Sequence, residues 1–96
     1  MKAVYKYNLE FIEQQTIKIH SNTILSVENQ KENIVVYALV DLDACNDGKY
    51  NYYEFIICGT GHYLDDNITD CNFLGTVSLA NGNLMYHVFY RRPKLS

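Results

Sequence analysis

Tryptophan is absent from these 96 residues, proline occurs once and glycine only five times. No repeat, low-complexity tract or linker interrupts the chain, and Pro93 lies beyond the last apolar run. Basic charge is also scarce: eight Lys and Arg stand against eleven Asp and Glu, a net charge of -3 and a pI near 5.4. A duplex-binding domain carries a basic stripe. The only basic cluster here is Arg91, Arg92 and Lys94, so duplex nucleic acid is not an expected partner. The acidic excess is in turn too small for a mimic of nucleic acid. No apolar run approaches the ~20 residues of a membrane span. The opening MKAVYKYNLE lacks the apolar core of a secretion signal, which gives the expectation of a cytoplasmic protein. Cys45, Cys58 and Cys71 are odd in number and form no CxxC pair, so neither a disulfide framework nor a zinc knuckle is suggested.

Apolar residues make up 48% of the chain and charged ones 20%, the composition of one globular domain spanning 1–96. Nine Tyr and four Phe favour half-buried pleated surfaces. The apolar period is two almost throughout. Ala3, Tyr5, Tyr7 and Leu9 share one face of a first run, and Ile17 and Ile19 alternate with Thr16, Lys18 and His20. A third run covers roughly Thr23 to Glu28. IVVYALVDL, Ile34 to Leu42, is apolar on both faces until Asp41 and reads as a covered central strand. Tyr53, Phe55 and Ile57 oppose Tyr52, Glu54 and Ile56. Asn81-Gly82 between the last two runs signals a two-residue hairpin turn, which pairs Val77 with Tyr86 and Thr76 with His87. The expected fold is all-β, a small antiparallel sandwich or barrel of six to seven strands with a C-terminal hairpin. The one candidate for a helical turn is Tyr63 to Ile68.

Two stretches invite a chemical reading. DACNDGKYNYYEF, from Asp43 to Phe55, imitates a calcium loop with Asp43, Asp47, Gly48 and Glu54 at the right offsets. Cys45 stands where calcium wants oxygen, and both flanks read as strands rather than helices. A polar hairpin loop is therefore expected, with no metal. GTGHYLDD is the densest polar constellation: Gly59, Thr60, Gly61, His62, Asp65 and Asp66 follow directly on an apolar strand. It serves either as a tight loop satisfying its own backbone or as a surface for a ligand or partner. In the second use, Tyr rings stack on a base, backbone amides at Gly59 to Gly61 meet an anionic group, His62 adds a hydrogen bond, and Arg91 or Arg92 adds charge. His20, His62 and His87 show no metal spacing, no GxSxG elbow occurs, and none of the three cysteines has an adjacent His in sequence. Neither a cofactor nor catalysis is implied. A chain this small is expected to place any pocket of ~300 Å³ between subunits, and its surplus of Tyr and Ile points to a homo-oligomer, a dimer first.

Five segments, YKYNLE, QQTIKI, ILSV with YALVDLD, FIICGTGHYLDD and FLGTVSLANGNLMYHVF, carry a resemblance that runs in order along nearly the whole chain. It resembles a family of short proteins of unknown function carried by phages and prophages, with GTGH-x-L-DD as its most specific element. Asn8 and Leu42 stand where related sequences carry proline, and Ala44 to Asn51 diverges. The resemblance implies a small phage protein acting in a bacterial cytoplasm and supplies no enzymatic activity. By analogy with phage accessory proteins, the expected function is counter-defence: non-enzymatic sequestration of a nucleotide-derived host immune signal. The alternatives are an inhibitor of a host defence enzyme such as a CRISPR nuclease, or a virion accessory protein.

Overall fold

The computed structural model describes residues 1–93, so Lys94 of the basic cluster lies outside the described residues. Seven strands form: β1 (Lys2–Asn8), β2 (Gln14–Ile19), β3 (Thr23–Gln30), β4 (Asn33–Asp41), β5 (Asn51–Gly59), β6 (Asn72–Leu79) and β7 (Leu84–Arg91). One helical turn, α1 (Leu42–Asn46), separates β4 from β5. The strands make two antiparallel sheets, ordered β1-β4-β3 and β2-β5-β7-β6. Two separate sheets give the sandwich rather than the closed barrel.

β4 is the central strand that its β-branched sequence announces. Ile34, Val36 and Ala38 enter the core, while Val35 on the other face is also buried. The second sheet contributes Tyr53, Phe55, Ile57, Val77 and Val88. Full burial of side chains such as Phe55 stabilises the fold by about 1.5–3 kcal/mol each. The sheets approach at their edge strands β3 and β6. There the Cβ that Gly75 lacks would stand 3.0 Å from Val27 Cγ1, so glycine is what lets the edges close. Bulges between Ile24 and Ser26 and between Phe73 and Gly75 bend these same two strands.

The terminal hairpin has the expected register, with Val77 opposite Tyr86 and Thr76 opposite His87. Asn81 at φ 56, ψ 35 and Gly82 at φ 89 make the type I′ turn, closed by Asn83 N–H to Ala80 O at 3.1 Å. Ala80 is also left-handed, at φ 52, so the paired strands end at Leu79 and Leu84 and a four-residue connection replaces the two-residue one. β3 runs on to Gln30, and the β3–β4 turn is built from two ordinary residues, Lys31 at φ 52 and Glu32 at φ 64.

The calcium-like stretch is not a hairpin loop. β4 and β5 belong to different sheets, and the connection between them crosses from one to the other. Asp41 Oδ1 accepts from the amides of Asp43 at 3.0 Å and Ala44 at 3.2 Å and so caps α1. Gly48, at φ 75, ends the turn. These local hydrogen bonds, which period-two reading cannot see, make the helical turn. The expected helical turn at Tyr63 to Ile68 instead forms as a 3-10 turn over Asp66–Asp70. No helix of the described residues is long and apolar enough to cross a membrane.

Candidate functional site

β5 delivers its apolar side chains into the core and stops at Gly59. Gly59 to His62 is a β-turn: His62 N–H donates to Gly59 O at 3.2 Å, and Gly61 takes φ 85 at the third position, where a type II turn wants glycine. Gly59 has a different task. A Cβ there would stand 3.0 Å from His62 Cε1, so the missing side chain lets the imidazole lie against the strand end. Both glycines of GTG thus set the position of His62.

Beside His62 opens a cleft of about 490 Å³ within the single chain. That size lies inside the range of about 300–1,000 Å³ typical of small-molecule sites. It corrects the expectation that a pocket of this size would need a second subunit, because the β1–β2 connection supplies the missing wall. Phe11, Ile12 and Glu13 form that wall, facing Ile57, Cys58 and Tyr86. Phe11 meets Tyr86 edge to face, with centroids 6.2 Å apart. Tyr63 stands at the mouth and is 98% exposed. Ile57 N–H donates to Glu13 O at 2.9 Å, and beyond that bond β2 has no further partner for β5. By the two-residue period of the ladder, the Gly59 amide points to the same side, into the cleft. Burial pushes the Cys58 thiol up, and the Glu13 carboxylate pushes it further, so Cys58 is held as an unreactive thiol.

The sequence-predicted residues converge only in part: Gly59, Thr60 and His62 share a smaller groove of about 250 Å³ with Leu84 and Met85, and Asp65 and Arg91 stand apart from it. Gly59 and His62 line the cleft. Thr60 turns away: its hydroxyl lies 2.8 Å from His87 Nε2, while Thr76 Oγ1 lies 2.9 Å from His87 Nδ1. A neutral imidazole donates from one nitrogen and accepts at the other, so His87 ties the loop to β6. Gly61 is used by its turn. Asp65 and Asp66 are exposed at the start of the 3-10 turn, and Asp65 shares a small cavity with Leu64, Ile68 and Arg91 rather than with His62. Arg91 is not free to meet an anion at the cleft. Its Nη2 lies 2.9 Å from Glu54 Oε1, which also accepts from Gln14, and the bond to Glu54 holds the guanidinium proton more firmly than usual. That bond also removes Glu54 from any calcium set, and no cluster of metal-ligating side chains occurs among the described residues.

Phe11, Ile12, Glu13 and Tyr63 are the cleft residues that pattern reading passed over. The signal available for them was an apolar pair, Phe11-Ile12, stranded in an otherwise polar connection. The sequence model of one family, described as a domain of unknown function (DUF7352), matches residues 1–95. No curated protein and no solved structure matches the chain.

Proposed function

The chain belongs to the DUF7352 family, and we propose that it is a non-enzymatic binding protein that holds a host defence protein through the cleft around His62. The resemblance to phage-carried proteins supports counter-defence in a bacterial cytoplasm as its setting. The observation that carries the reading is the composition of the cleft mouth: Phe11, Ile12 and Tyr63 are exposed around a carboxylate, Glu13. Clustered exposed aromatic and apolar side chains mark interaction surfaces. Glu13 selects a partner segment that brings a cation, and it opposes a phosphate. With Arg91 engaged by Glu54, the nucleotide-derived signal loses the charge that would hold it here.

The experiment is affinity capture of a defined candidate, a host defence nuclease, by wild type, Phe11→Ala and Tyr63→Ala. Both variants are expected to melt with wild type and to lose the partner. Undiminished capture by both would remove the cleft from the interface. A parallel thermal-shift screen with cyclic nucleotides and ADP-ribose derivatives tests the small-molecule reading; stabilisation that disappears in His62→Ala would restore it at this site. We also propose that the chain self-associates, since Val4 and Tyr5 are exposed on the open edge strand β1. A monomer mass by light scattering would refute this.

A further inference from the structure

A second groove, of about 590 Å³, lies at the opposite end of β5, lined by Thr16, Tyr50, Asn51, Tyr52, Arg92 and Pro93. The rings of Tyr50 and Tyr52 meet edge to face, with centroids 5.2 Å apart and planes at 81°, and both are exposed, 42% and 49%. The core does not need them. Tyr53, the next residue along β5, supplies the buried ring and donates to Ser21 O at 2.9 Å.

One cation stands against this pair and a second against the neighbouring Tyr53 ring. Lys18 stands across the β2–β5 ladder from Tyr52, with Nζ 4.1 Å from the Tyr50 ring centre. Arg92 lies 4.9 Å over the Tyr53 ring. It donates to Asn51 Oδ1 at 2.9 Å and Asn22 Oδ1 at 3.1 Å, which fixes its fork while using two of the five N–H donors of a guanidinium. No carboxylate lines the groove among the described residues. Glu54, the next outward residue along β5, is neutralised by Arg91.

We propose that this groove binds a nucleoside phosphate, its base stacked on Tyr52 and its phosphate held by Arg92, with Lys18, against the Tyr50 ring, adding positive charge. Each feature removes a class of ligand. The two cations repel a cationic ligand. A neutral apolar ligand would strip water from those cations and return nothing. Inorganic phosphate would leave the rings unused, whereas a base presents a π-face to them. A nucleic-acid strand needs a basic track, and eight Lys and Arg against eleven Asp and Glu do not make one. What remains is a single nucleotide. This site is separate from the His62 cleft, and the inference does not depend on what that cleft holds.

Calorimetry with AMP, adenosine, inorganic phosphate and a short oligonucleotide as probes tests it. AMP is expected to bind, with adenosine and phosphate each weaker by about tenfold or more, the size of one lost stacking or charge contact. Tyr52→Ala and Lys18→Gln should each weaken AMP by about the same factor, while Tyr52→Phe and His62→Ala leave it unchanged. Circular dichroism checks the fold of each variant. If Tyr52→Ala unfolds, Lys18→Gln at its exposed edge position decides. The inference fails if AMP does not bind at millimolar concentration, if adenosine equals AMP, or if neither variant weakens it. It fails equally if His62→Ala abolishes binding, or if the oligonucleotide binds more tightly than AMP.

Discussion

Arg91 and Glu54 stand directly opposite each other on β7 and β5, with Nη2 2.9 Å from Oε1 and side chains only 17% and 9% exposed. Among the described residues, Arg91 Nε and Nη1 are buried without a hydrogen-bond partner, and Glu54 is the carboxylate that neutralises this guanidinium. Glu54→Ala is expected to cost about 3–5 kcal/mol, because the lone buried cation is the expensive state. Glu54→Gln should cost less, since its amide oxygen still accepts. Urea titration of the three proteins measures both differences.

Gly75 on β6 faces Val27 on β3 where the two sheets meet. Gly75→Ala brings a methyl against Val27 Cγ1 and should destabilise by about 1–3 kcal/mol, the usual price of overpacking. The double variant Val27→Ala, Gly75→Ala should recover part of that loss. Additive costs in the double-mutant cycle would show that the contact is not the cause.

Asp41 gives the fold an acid sensitivity. The amide of Ala44, with a smaller contribution from that of Asp43, holds its carboxyl below the usual carboxylate range, although partial desolvation opposes them. A carboxyl lowered in the folded state stabilises at every pH above its unfolded value, and that stabilisation disappears as pH falls through the lower, folded value. Thermal melts below about pH 4 should therefore fall more steeply for wild type than for Asp41→Asn, which caps α1 without titrating. Parallel acid limbs would assign the sensitivity elsewhere.

Lys31 holds a left-handed conformation in the β3–β4 turn that lysine does not favour. Lys31→Asn should raise stability by up to about 1 kcal/mol, because asparagine tolerates this region and the lysine is exposed. A lowered melting temperature would mean that the lysine side chain has a role of its own.

The strands were legible because alternation is a local property, and the β6–β7 register followed from one dipeptide, Asn81-Gly82. The pairing of Thr76 with His87 was readable from that register, and with it one of the two hydroxyls that hold His87. The partition into sheets was not readable. Nothing in the residues from Asp43 to Phe55 shows that β4 and β5 separate, because the partners that separate them, β3 and β7, lie elsewhere in the chain. The burial of Glu54 was hidden for the same reason. Alternation puts it on an outer face, but it lies beneath Arg91 and Gln14. His62 stands in the loop that the sequence singled out, while the opposite wall of its cleft, Phe11 to Glu13, is about fifty residues away and invisible to any local pattern.

The clasp between the two hairpin tips bears on the order in which the chain assembles. Glu32 Oε2 accepts from Ala80 N–H at 2.8 Å, and Asn29 Nδ2 donates to Ser78 O at 2.8 Å. Each hairpin, β3–β4 and β6–β7, closes over a short turn and pairs strands adjacent in sequence, so each forms at small loop-closure cost. β1, β2 and β5 must instead find partners far along the chain, as in Lys2 with Asp41 or Gln14 with Ile56. Folding is thus expected to begin as two independent hairpins that lock tip to tip, with the remaining strands added to the outside of a platform already made. Kinetic φ-values near one for Val36→Ala and Val77→Ala, against low values for Ile17→Val, would record that sequence of events, and the reverse ranking would exclude it.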